Sequence, residues 1–490
     1  MAMNFYCETD ESQMGKSAIV LNPTPGLSLF GTVPNTQQIR SEWTINGRSF
    51  AVADGELVEM LANGTINVLG NVANDQNLSS MCASPLQLAV ASGGFLYVYY
   101  LKTIGTVPAG TFIQVPSATF PGPVAQVALA DDIFIALITS TDQYFSSTPL
   151  DATMWPGLDF NAISTFPDNV VSMIVDHRQV VLLGQKSTEF DYNIGSVPEP
   201  FGAAPGGFAE EGCAAADATV QLDNSVFWIG SRNDRGQGIG WRFNGYVPTR
   251  VTNHAVEFAW SQYPTISDAR GFAYQEGGHS FWHINFPSAN ATWVLDVSTG
   301  LWHQRGFWNA QSGLFSAALP QCHTFNFGKH LVGDRQSGNI YQMGVPVAAM
   351  GGGFNFVTDN GNPIRRVRRA PHISTENQWI KHASLWVDME TGLAPMPPLL
   401  DGMGNPREPS ITLRYSDDGG HTWSGGADRG CGLAGNYRKR VIWRRLGRSR
   451  DRVYEISCSD PIPYRIVDAY LQASGFQPKK RLPKELSEAA

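Results

Sequence analysis

The sequence predicts an all-β protein: a β-propeller of six or seven blades, with an extended N-terminal arm and a C-terminal β-rich segment. Three observations carry this expectation. Fifty Gly and thirty Pro in 490 residues demand frequent turns, which many short strands supply and long helices do not. Turn signals such as Asp54-Gly55 and Asn63-Gly64 separate short alternating runs, the pattern of tight hairpins. Comparable strand pairs then recur at a spacing of roughly 40 to 55 residues, close to the period of a propeller blade.

Residues 1–46 read as an extended leader, with Asn22-Pro-Thr-Pro-Gly26 a rigid turn ahead of Leu27, Leu29 and Phe30. From Gly47 a meander begins, with strands at 48–53, 56–61 and 65–69. Further strands follow at 95–101, at 133–139 with 143–146, and at 180–184 with 188–192. Others lie at 226–230 with 241–243, at 280–286 with 292–296, and at 330–333 with 339–343. No signature word is shared by every unit, so the repeat is structural. Radial four-stranded blades explain it, because they leave only short protected edges. A pair of β-sandwich domains is the competing architecture. Residues 292–303 read as a single blade hairpin turning at Ser298-Thr299-Gly300, and residues 259–263 leave a short helix and an inter-blade loop both open.

After Met350 the texture changes. Gly351-Gly352-Gly353 and Asp359-Asn-Gly-Asn-Pro363 look like a boundary, and Leu385 and Val387 mark one face of a strand over 380–388. Five prolines between Leu393 and Pro409 make a long irregular loop. Ile411, Leu413 and Tyr415 alternate on the next strand, and later runs place Tyr454, Ile456 and Cys458, then Val467, Ala469 and Leu471, each on one face. The expected organisation is an arm over 1–46, a propeller core over 47–350, a C-terminal β-rich domain over 351–476 that stands apart or completes the propeller, and a charged tail over 477–490.

Composition narrows the function. Apolar residues make up 42% and charged ones 16%, with 13 Trp, 15 Tyr and 26 Phe. Low charge with many aromatics suggests a surface largely covered by neighbouring subunits. A net charge of −8 argues against a nucleic-acid binder of the usual basic kind. Basic residues are nevertheless clustered: eight, against one acid, lie between Arg438 and Arg452, and Arg365, Arg366, Arg368 and Arg369 form a second group. Cys7, Cys82, Cys213, Cys322, Cys431 and Cys458 contain no C-x-x-C pair and read as reduced, mostly buried thiols. The N-terminus lacks the apolar core of a signal peptide, and no apolar run approaches the ~20 residues a bilayer requires.

Catalytic and cofactor-binding motifs are mostly missing. H-E-x-x-H and G-x-S-x-G are lacking, and no complete G-x-G-x-x-G follows a predicted strand. Met14-Gly15-Lys16-Ser17 invites a phosphate-loop reading, but Asp10 stands where that loop needs its first Gly. His279 and His283 flank an aromatic strand with no partner at ligand spacing and read as core or rim histidines. Three N-x-S/T triplets, at Asn63, Asn77 and Asn290, carry no meaning without secretion. No catalytic, cofactor-binding or metal-binding residue is assigned.

Ser416, Asp418, Gly420, Thr422 and Trp423 fit the Asp-box pattern S-x-D-x-G-x-T-W, which resembles the turn motifs of sialidases and other propellers. Its Asp is expected to tie a hairpin turn to its own backbone, with Trp packed under the adjacent strand. An alternative function follows, an Asp-box glycosidase of the sialidase kind or a carbohydrate-binding module, with Asp417 and Asp418 as paired carboxylates.

A more specific resemblance runs through KRVIWRRLGRSRDRVYEISCSDPIPYRIVDAYLQ, residues 439–472. This stretch is similar to the C-terminal segment of the packaged-DNA stabilisation proteins of short-tailed phages (podoviruses), also called tail hub or nozzle proteins. Residues 4–8, 24–27 and 263–302 resemble the same family loosely. The resemblance implies a structural virion protein, assembled in the host cytoplasm as a homohexamer below the head–tail connector. It implies a channel for double-stranded DNA, retention of the packaged genome until ejection, and attachment of a needle, tailspike or fibre. It implies no cofactor and no active site.

Within the arginine run, alternation sets Arg440, Ile442 and Arg444 on one face and Val441, Trp443 and Arg445 on the other. Charge on both faces suits a strand wedged between protein surfaces. The candidates for subunit contact are therefore Arg438, Arg440, Trp443, Arg444, Arg445, Arg448, Arg450 and Arg452, with phosphate contact as the other reading. A negative channel lining would let DNA slide, because fixed phosphate contacts would act as brakes.

Overall fold

Residues 2–9, 16–117, 122–166, 168–231, 238–350 and 352–475 are described by a computed structural model. The charged tail over 477–490, Gly351, and Met14-Gly15 lie outside the described residues. The chain forms two compact units.

One unit, residues 25–345 with 356–363, is a propeller of seven blades. The first six are four-stranded antiparallel sheets in chain order. The first runs Ile39–Ile45, Arg48–Ala53, Glu56–Met60 and Ile66–Asn71, and the sixth runs Arg270–Glu276, His279–Phe286, Ala291–Asp296 and Leu301–Arg305. Inner strands neighbour one another around a ring, and the seventh returns to the first. The seventh blade, Pro320–Asn326, Lys329–Asp334 and Asn339–Gly344, takes its outer strand from Gly26–Thr32, far upstream in the chain. Met343 there faces Leu27, and Gly344 faces Gly26. A Cβ at Gly26 would fall onto the carbonyl of Phe356, so the close approach requires glycine.

The core lies between blades. Phe50, Val52 and Leu57 of the first blade pack with Leu88, Val90 and Tyr97 of the second. The same stacking of apolar faces continues around the ring. The open choice at residues 259–263 resolves as the end of a helix, His254–Ser261. Asn253 caps it, its side chain accepting from the amides of Ala255 and Val256 at 3.1 Å. The helix buries Trp260 against Phe286. Between the sixth and seventh blades the packing is of rings and imidazoles. Phe272 stacks on His283 at 4.4 Å and on His323 at 5.8 Å. His279 bonds Asp296 at 2.8 Å and His283 is fully buried, so both are structural. All six cysteines are free thiols, and five are buried.

The other unit gathers residues 1–24, 346–355 and 364 onward into two sheets facing each other. One sheet orders Ala2–Met3, Arg366–Arg369, Asp451–Cys458, Ser410–Ser416 and Ala427–Gly430. The other orders Phe5–Thr9, Ile19–Pro23, Ile466–Gly475, Ile380–Met389 and Val441–Arg444. Phe5, Leu385, Val387, Ile411, Leu413, Trp443, Tyr454 and Ile456 fill the space between them, as alternation along each strand requires. The leader thus has paired strands in both units: Phe5–Thr9 and Ile19–Pro23 in this sandwich, and Gly26–Thr32 and Ile39–Ile45 in the propeller. Strands from Arg366 onward build the sandwich, whereas Thr358–Asp359 and Asn362–Pro363 add to the outer edge of the seventh blade. Among the described residues no helix is long and apolar enough to cross a membrane.

Candidate functional site

The Asp box is a turn staple of the sandwich. It joins Ser410–Ser416 to Ala427–Gly430, two paired strands of one sheet. Ser416 Oγ donates to Asp418 Oδ1 at 2.6 Å and accepts from the Gly420 amide at 2.8 Å. The Thr422 amide and hydroxyl both donate to Asp418. These bonds, from Ser416 and then Thr422, hold the Asp418 carboxyl well below its ordinary range. Asp417 is committed elsewhere, to Arg452. The two neighbours therefore do not act as a pair. Trp423 departs from expectation. Rather than packing beneath a strand, its ring meets the guanidiniums of Arg369 at 4.6 Å and Arg414 at 5.3 Å. Both arginines also pair with buried Glu455. Burial alone would raise the Glu455 pKa, but Arg414 and Arg369 bring it below the ordinary value.

The arginine run divides into two populations. Trp443 and Arg452 are not available for subunit contact. Trp443 lies in the sandwich core, donating its indole N–H to the Ala427 carbonyl at 2.7 Å. Arg452 is buried over Tyr415 and bonds Asp417 and the Leu446 carbonyl. The strand Val441–Arg444 has one face inward, with Val441 and Trp443 buried, and one outward. It is therefore not charged on both faces. Arg445 leaves the strand in a left-handed turn, φ 59°.

Arg438, Arg440, Arg444, Arg445, Arg448 and Arg450 are exposed, and none forms an ion pair among the described residues. Strand pairing adds partners that lay outside the sequence expectation. Trp386 sits opposite Ile442 and Tyr470. The Arg440 guanidinium lies 5.2 Å over Trp386, and those of Arg448 and Arg450 lie 4.9 and 5.1 Å from the Trp379 ring. Lys381, opposite Arg448 in the sheet, joins Arg445 and Arg448 around a cavity of about 510 Å³. Trp379 precedes an evident strand and Lys381 lies within it, but only its pairing with 441–444 and 448–449 brings them to this face.

The charge is segregated. Residues 25–363 carry 26 acids and 13 bases, a net −13, and the remainder carries 17 acids and 22 bases, a net +5. No group of His, Cys, Asp and Glu able to hold a metal occurs among the described residues.

The chain is thus an all-β protein, a closed propeller followed by a β-sandwich that exposes guanidiniums and indoles on one face. The matching family models make this specific: bacteriophage P22 Gp10, β-propeller, over residues 1–347, and bacteriophage P22 Gp10, β-sandwich, over residues 365–474. The chain belongs to this family and is a bacteriophage structural protein. No curated protein sequence matches it. Among solved structures it is similar to virginiamycin B lyase from Staphylococcus aureus, with 7% identity over 66% of this chain and 99% of that one, at a TM-score of 0.45. It is similar to the Neurospora crassa Pan2 WD40 domain, with 7% identity over 66% and 96%, at 0.41. It also resembles the extracellular domain of the putative hybrid two component system BT4673 from B. thetaiotaomicron, with 10% identity at 0.44. That match covers 66% of this chain, which spans only 40% of the other's length.

Proposed function

We propose that the chain is the tail hub, or nozzle, of a short-tailed phage. As a homohexamer below the head–tail connector it forms the channel for double-stranded DNA. It retains the packaged genome until ejection and carries the needle, tailspike or fibre. It is assembled in the host cytoplasm, resides in the virion tail and performs no catalysis. The observation that carries this reading is the joint match of propeller and sandwich to one phage family. Two features support it. The propeller's excess of acids suits a bore through which phosphates must slide without sticking. Unpaired arginines on the sandwich suit contact with neighbouring subunits. The test is size-exclusion chromatography with light scattering, on the chain alone and mixed with connector rings. A hexamer that joins the ring is expected. A monomer that ignores the ring, or cleavage of a fluorogenic sialoside, overturns the reading.

A further inference from the structure

We propose that the basic face of the sandwich docks onto the acidic hairpin end of the propeller of a second copy of this chain. The inference rests on the reading of that face as a subunit contact and names the surface it meets.

The basic face is preset for carboxylates. Trp379 and Trp386 lie within about 5 Å of three guanidiniums that have no carboxylate partner among the described residues, which leaves their N–H groups to bind a carboxylate. Beside them, Lys381, Arg445 and Arg448 line the cavity together with His382. His382 is 1% exposed; its Nε2 bonds Ser449 Oγ at 2.9 Å, and its Nδ1 has no partner. A carboxylate side chain entering this cavity would meet three cations that lack any carboxylate partner among the described residues.

The propeller supplies the complement. Antiparallel order puts the turns between first and second strands of every blade at one end. In blades three, four and five these turns are Asp131-Asp132, His177-Arg178 and Asp223-Asn224, all at positive φ. They are tied tip to tip: Arg178 pairs with Asp131 at 2.7 Å, and His177 bonds Asn224 at 2.9 Å. Asp132 and Asp223 have no cationic partner among the described residues. A polyphosphate would neutralise the basic face alone, whereas a second copy neutralises the basic and the acidic face at once. Two different faces meeting head to tail form a ring when the rotation between copies closes.

The test uses the full chain. One variant carries Arg444→Glu, Arg445→Glu and Arg448→Glu. A second carries Asp132→Lys and Asp223→Lys, with Asn at both positions as the control that keeps the left-handed turns. Light scattering is expected to show salt-sensitive assembly of the unaltered chain. Self-affinity should fall roughly 100-fold or more in each reversed variant, because like charges then oppose. An equimolar mixture of the two should assemble again, since each altered face then meets an opposite one. If only the arginine variant fails, the acidic end is the wrong acceptor, although the subunit-contact reading stands. If both variants assemble like the unaltered chain, both readings fall. An unaltered chain that stays monomeric, or binds duplex DNA through these arginines instead, also overturns the proposal.

Discussion

Arg452 and Asp417 form a bidentate pair, at 2.6 and 2.7 Å, in which the arginine is buried and the aspartate is nearly half exposed. That asymmetry sets the cost of breaking it. Asp417→Ala leaves a buried guanidinium with the Leu446 carbonyl and the Tyr415 and Tyr454 rings as partners but no carboxylate. Arg452→Met leaves an acid that water can reach. Asp417→Ala should therefore cost more, about 3 kcal/mol or above, and Arg452→Met less. Chemical denaturation of the two variants checks the order, and the reverse order would refute the account.

Closure of the seventh blade depends on Gly26. Replacing it by Ala should push Gly26–Thr32 off Asn339–Gly344 and cost about 1–3 kcal/mol. Calorimetry should show the propeller transition lowered and the sandwich transition unmoved.

His283 makes the propeller sensitive to acid. Burial first, then Arg305 and His303, hold its imidazole well below the ordinary value, and neither ring nitrogen has a partner. In the unfolded chain it takes up a proton near pH 6.5; folded, it does not. Its contribution is therefore complete above that pH and is lost as pH falls, by about 1.4 kcal/mol per unit. His283→Phe lacks this loss. Its melting temperature relative to the unaltered chain should be higher at pH 5 than at pH 8, and an equal offset at both pH values would contradict the assignment. His303, pushed down to about 3 by burial and by Arg305 and His279, remains in both proteins and cancels.

Asp418 fastens the turn after Ser410–Ser416 through Ser416 and Thr422. Asp418→Ala should speed hydrogen exchange at the Thr422 amide, which it now holds at 2.9 Å, and leave assembly unchanged. Loss of assembly would mean that the turn is itself a contact.

The central strands of most blades were legible in the sequence because both their faces are apolar, as in Gln179–Gly184, where Val180, Val181, Leu182 and Leu183 are all buried. Inner strands were harder to read. Ser80 and Gln126 interrupt the apolar pattern there, because they bond the backbones of Val127 and Met173 across blades. Outer strands such as Phe112–Gln114 and Phe160–Ala162 are three residues long, too short to show alternation. The arginine run was visible, but its division into paired and unpaired members was not. That division depends on Asp417 and Trp379, 35 and more residues away in the chain.

The strand that seals the propeller leaves the ribosome early, and its partner follows late: 307 residues separate Thr32 from Asn339. A nascent chain must hold its first propeller strand in reserve until translation is two-thirds done. Products truncated before Asn339 would leave Gly26–Thr32 without its partner strand, an unpaired edge open to proteolysis.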